Sequence, residues 1–158
     1  MAKFVDLKGH WATAIGNGFV AFGSLEHTIV VCLREIPQDK FQRFARSLRL
    51  SQRIDLLLEL LEEKSQPECL ELSEKLKQVK VLVPTRNLIA HNPLVLEFYE
   101  HPEGGYAFSE AIAAIHKVGQ KITLPEAQEF AAASQRLATE LVGASQRCFQ
   151  ALGITPKT

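Results

Sequence analysis

The sequence predicts an all-α protein, an up-and-down bundle of about five helices with a small β-hairpin inserted late in the chain. Three observations predict it. At least five segments repeat apolar residues at helical spacing, and only one stretch, about residues 95–115, sets aromatic and branched residues around a glycine turn. The third is length: 158 residues suffice for one self-standing core, so a single domain over 1–158 is expected.

Taken in order, residues 12–36 carry Phe19, Phe22, Ile29 and Leu33 at the i, i+3 and i+7 positions of a helix face. Gly16, Gly18 and Gly23 weaken this helix locally and are explained by close approach of a neighbouring backbone, and Pro37 ends it. From Gln38 to Leu50, Phe41, Phe44, Ala45 and Leu48 gather on one side of a helical wheel, opposite Lys40, Arg43, Arg46 and Arg49. Ser51 is placed to cap a third helix running to Lys64, with Ile54, Leu57, Leu58 and Leu61 inward. Pro67 opens a fourth, whose apolar side is Leu70, Leu72, Leu76, Val79 and Leu82. After Pro93 the pattern changes to VLEFYE, a turn at Gly104 and Gly105, and YAFSEAIAAI, which reads as the hairpin. Thr123 as N-cap, Pro125 in the first turn and Glu126 three residues after the cap start the last helix, which runs about seven turns to Leu152 and stops at Gly153.

Apolar residues make up 46% and charged residues 23%, a balance typical of soluble globular chains. The 18 basic and 18 acidic side chains cancel, which excludes a global positive field that would draw the chain onto nucleic acid. The charge is nevertheless uneven: residues 34–53 hold six basic and two acidic side chains, and residues 55–74 hold seven acidic and one basic. Either these neighbours neutralise each other, or Arg43, Arg46 and Arg49 form a basic strip that guides RNA. Cys32, Cys69 and Cys148 are odd in number and widely spaced, so neither a disulfide framework nor a zinc site is expected, and a reducing cytoplasm is the simplest setting. The opening MAKFVDLKGH lacks a signal-peptide core, and Asn17, Glu26 and His27 interrupt the most apolar region, so no membrane is required. No metal or other cofactor is expected, and His10, His101 and His116, lacking ligand spacing, read as surface residues.

The candidate site is PTRNLIAHNP, residues 84–93. Pro84 suits the first turn of a helix and Pro93 disfavours helix at Asn92, so the motif occupies either a short helix of about two turns or a kinked stretch of a longer one. At about 100° per residue, Asn87 and His91 fall within about 40° of each other, whereas Arg86 lies about 140° from His91. Glu26 shares the helical line of Phe19, Phe22, Ile29 and Leu33, so its carboxylate needs a partner, for which Arg86 is the candidate.

With Arg86, Asn87 and His91 in this spacing the chain resembles the HEPN superfamily, all-helical domains that share an arginine, a polar residue and a histidine four to six residues after the arginine. The resemblance also covers the order of elements over roughly residues 12–95, including a mid-helix acid in the first helix. It implies metal-independent RNA cleavage of toxin or defence type at a site shared by two subunits of a homodimer, with an antitoxin-like protein as a further partner. In that chemistry a neutral His91 takes the proton of a ribose 2′-hydroxyl and Arg86 holds the phosphate as its charge develops. Asn87 fixes the imidazole or binds a phosphate oxygen. The alternative is a non-catalytic interaction or scaffold module in which the same three residues cap and pair within the helices. Nucleotide binding is a third reading, but no glycine-rich phosphate loop accompanies it.

Overall fold

The computed structural model describes residues 6, 8–37, 47–117 and 119–156. Four helices and three strands are found among them: α1 (His10–Glu35), α2 (Leu50–Glu62), α3 (Pro67–His91), β1 (Leu94–Glu100), β2 (Tyr106–Ala113), β3 (Lys121–Thr123) and α4 (Leu124–Ala151). The helix expected over Gln38–Leu50 lies mostly on residues 38–46, outside the described ones, and with it Arg43 and Arg46.

Each helix starts where the local chemistry satisfies its free N–H groups. Asp6 caps α1, its carboxylate accepting from the Trp11 and Ala12 N–H groups at 3.3 and 2.8 Å. At α2 the cap is Arg49 rather than Ser51, and the Gln52 side chain accepts from the Arg49 N–H at 2.9 Å. At α4 the Glu126 carboxylate accepts from both the N–H and the hydroxyl of Thr123, at 2.7 and 2.8 Å, as the capping pattern predicts. Gly153, at φ +67°, ends that helix in the left-handed conformation.

Of the two readings left open for the motif, the structure takes the longer helix: α3 runs unbroken from Pro67 to His91 with Pro84 inside it. Its buried line, Cys69, Leu72, Leu76, Val79 and Val83, steps by three and four residues, and Ile89 is buried beyond the proline, so packing holds the helix on both sides of it. Pro84 is exposed, so the carbonyl that loses its partner one turn earlier faces outward. Leu70, expected inside, is 57% exposed because it lies off this line.

The hairpin is the first two strands of an antiparallel three-stranded meander. Leu94 pairs with Ile112 and Glu100 with Tyr106, and the turn closes through Gly104 and Gly105, both at positive φ. β3 then pairs Ile122 with Ile112 and leads directly into α4. Since β1 leaves the end of α3 and β3 feeds the start of α4, the sheet is fastened at both ends to the bundle. Ile112 and Ile122 are buried in the common core.

α4 packs against α1 and α3, and α2 covers the other side of α3. By length and composition α1 could cross a membrane, and here Trp11, Phe22, Leu25 and Ile29 are buried in the bundle. Among the described residues only Gly18 of its three glycines answers to close packing: a Cβ there would stand 2.8 Å from the Phe130 ring, whereas none of them lies within 4 Å of one at Gly16 or Gly23. The three cysteines are free and buried, and Cys69 and Cys148 share an S–H···S contact at 2.9 Å that joins α3 to α4. Three acids of the second quarter of the chain have partners in the later part of the chain: Asp55 pairs with Lys80 on α3, Glu71 with Arg147 on α4 at 2.6 Å, and Glu74 with Lys77 one turn on in its own helix at 2.7 Å.

Candidate functional site

Arg86 continues the three-four stepping of the buried line of α3, so its guanidinium is carried toward α1 rather than away from it. There it meets Glu26, with Arg86 Nη2 at 3.3 Å from Glu26 Oε1. The ring of Phe19 lies two turns earlier on α1, its centroid 5.7 Å from the guanidinium carbon. The acid that sequence periodicity placed against the core thus has the partner expected for it. A third contact comes from the next residue: Arg86 Nη1 donates to Asn87 Oδ1 at 3.2 Å. Arg86 Nε is buried and finds no acceptor among the described residues.

Asn87 and His91, one turn apart on the exposed side of α3, face a different space. They line an open cleft of about 430 Å³ whose other wall is the connection between β2 and β3, contributing His116, Lys117 and Gln120. Leu88 and Pro84 form its apolar floor. Arg86 is outside this cleft and is joined to it through Asn87, which touches both. The predicted site residues therefore fall into two linked groups, Glu26–Arg86 on one side and Asn87–His91 on the other.

Asn92 sets the distance between the cleft walls. Its Nδ2 donates to the Leu88 carbonyl at 2.8 Å, closing the end of α3, and its Oδ1 accepts from the Ile115 N–H at 2.9 Å, pinning the β2–β3 connection beside His91. The connection is closed on itself by Ala114 N–H to Gln120 O at 2.9 Å and Gln120 N–H to Lys117 O at 3.1 Å. His116, which by sequence is a surface residue, is exposed but belongs to this cleft, as does Lys117. Nothing in their own sequence neighbourhood marks them; the signal is the Asn92 side chain, whose bonding partner lies 23 residues away.

The remaining candidates stand apart from this site. Arg49 is exposed at the start of α2 and does not line the cleft, and His10, His27 and His101 are exposed. Among the described residues no three His, Cys, Asp or Glu side chains gather to hold a metal ion.

Comparison with protein-family models, with curated proteins and with solved structures finds no match to this chain.

Proposed function

We propose that the chain is a HEPN-like endoribonuclease that cleaves RNA without a metal ion, with Arg86, Asn87 and His91 as its working residues and Glu26 in support. The observation that supports this reading is that Arg86, paired with Glu26, bonds the Asn87 amide, and that Asn87 and His91 line one open cleft. A neutral His91 removes the proton from a ribose 2′-hydroxyl, the 2′-oxygen attacks the adjacent phosphorus, and the bond to the 5′-oxygen breaks. The departing oxygen takes up a proton, leaving a 2′,3′-cyclic phosphate and a free 5′-hydroxyl. Arg86 offsets the charge that builds on the phosphate, and Asn87 steers either the guanidinium or the imidazole.

A homodimer completes the scheme, since two copies bring two motif histidines and two guanidinium groups to one twofold axis. The exposed side of α1 supports such a contact: Gly16 and Gly23 face open space on either side of Val20, which is 76% exposed. An antitoxin-like protein is the natural further partner of an enzyme of this type.

The test is to incubate the chain with single-stranded RNA in excess EDTA and to identify the product ends. Cyclic phosphate and 5′-hydroxyl ends support the reading. Intact RNA, or cleavage that EDTA stops, removes it.

One observation favours the second reading, an interaction or scaffold module. Arg86 is engaged within the chain by Glu26, Phe19 and Asn87 through its two terminal nitrogens and its guanidinium face, as a structural arginine would be, although its Nε finds no acceptor among the described residues. In that case Arg86→Ala lowers the melting temperature and no RNA is cleaved by either protein.

A further inference from the structure

The connection between β2 and β3 is stitched to the end of the motif helix more firmly than a passive surface loop requires. Asn92 holds Ile115, and Pro93 O accepts from the Ala113 N–H at 3.2 Å. The Ala114–Gln120 and Gln120–Lys117 bonds close the turn. This places His116 and Lys117 across the cleft from His91 and Asn87.

The chemistry of the enclosed space is one-sided. An ammonium, two imidazoles and the amides of Asn87 and Gln120 line it, and none of the described residues lining it is acidic. All of these groups can donate hydrogen bonds, so the cleft suits an oxyanion and offers little to a cation. Its volume of about 430 Å³ falls within the range of about 300–1,000 Å³ typical of small-molecule sites. Among the described lining residues there is no Phe, Tyr or Trp, so the imidazoles of His91 and His116 are the only rings there on which a base could stack. Arg86, the cation of the motif, is outside the cleft and engaged by Glu26. A phosphate that reached His91 would therefore meet Lys117 and His116 before it met Arg86.

We infer that the β2–β3 connection is the second wall of a phosphodiester-binding site, in which Lys117 and His116 hold a phosphate of single-stranded RNA opposite His91 and Asn87 of the same chain. The choice of RNA over another phosphate rests on the ribonuclease reading above; the anion site itself does not. Lys117 and His116 are binding residues here, and the motif histidine retains the chemistry.

Imidazole signals in two-dimensional NMR, followed during titration with inorganic phosphate and then with a short single-stranded RNA, test the inference. Both ligands are expected to shift His91 and His116 together while leaving His10 and His27 in place. Lys117→Ala is expected to weaken RNA binding about tenfold or more and to reduce its salt dependence by about one counterion, while Lys117→Arg restores both. His91→Ala should lose cleavage and weaken RNA binding less than Lys117→Ala does. Phosphate and RNA binding without cleavage by the wild type would sustain the anion site and remove the ribonuclease reading. Movement of neither histidine, RNA binding unchanged in Lys117→Ala, or phosphate binding without RNA binding would each overturn the inference.

Discussion

Arg86 and Glu26 are each partly open to solvent, with side chains 29% and 33% exposed, so their ion pair is screened and contributes at most about 1 kcal/mol. Its larger effect is on aim. With the carboxylate in place the guanidinium is drawn to α1 and touches the cleft only through Asn87. Glu26→Gln is therefore expected to move the melting temperature by no more than a few degrees while RNA cleavage falls, because the arginine loses its fixed direction. Melts and cleavage rates measured on the same preparation decide it, and an unchanged rate would take Glu26 out of the site. The cysteines give a second prediction at this scale. Burial pushes the Cys32 thiol up from 9.0 to about 12 and raises Cys148 as well, where contact with Cys69 adds to the effect. The folded chain is then slow to react with iodoacetamide at pH 8, and denaturation releases the thiols. Because the folded value lies above the unfolded one, this contribution to stability is intact below about pH 9 and is lost as pH rises toward 12. Stability that rose over that window would contradict the assigned burial.

The helices were read from the sequence where their ends carry chemistry and where their buried lines are long. Pro67, the Thr123–Glu126 pair and Gly153 all stand where expected, and the phase of α1 located the partner of Glu26. The unbroken α3 was only one of two readings, because the local preference of Pro84 for a helix start is outweighed by packing on both sides of it. β3 went unread because three residues are too few to show alternation; only its pairing with β2 defines it. The far wall of the cleft was beyond reach for a related reason, since the Asn92–Ile115 bond is tertiary. The elements also predict how substitutions sort. Gly18→Ala forces a Cβ onto Phe130 and should cost about 1–3 kcal/mol, while Gly16→Ala, with open space around it, should gain up to about 1 kcal/mol from helix propensity. Urea melts of the two variants should move in opposite directions. At the start of α4, hydrogen bonds from the Thr123 N–H and hydroxyl hold the Glu126 carboxyl below its usual range. That cap is present above the unfolded value and weakens as pH falls through the folded one, so acid should fray this end of the helix first, which amide exchange along α4 would register.

As a whole molecule, a working ribonuclease of this kind needs one small bundle to present both a cleft at the end of α3 and a self-complementary face along α1. Gly23→Leu distinguishes the two, because no described residue lies within 4 Å of a Cβ there, whereas a partner helix packed on this face would meet the added side chain. The variant should melt as the wild type does and elute as a monomer in light scattering at micromolar concentration. A variant still dimeric, or a wild type already monomeric, would place the two motif histidines in separate sites. The central claim is that the motif performs chemistry rather than holding the helices together. His91 is exposed at the end of α3, so truncating it removes an imidazole from the cleft without emptying the core. The most direct measurement is the rate of RNA cleavage in EDTA by wild type and His91→Ala, with thermal melts of both. Cleavage by the wild type, none by the variant, and melting temperatures that agree within a few degrees are expected. Equal cleavage by the two proteins, or a variant whose loss of activity simply follows its unfolding, would contradict the central claim.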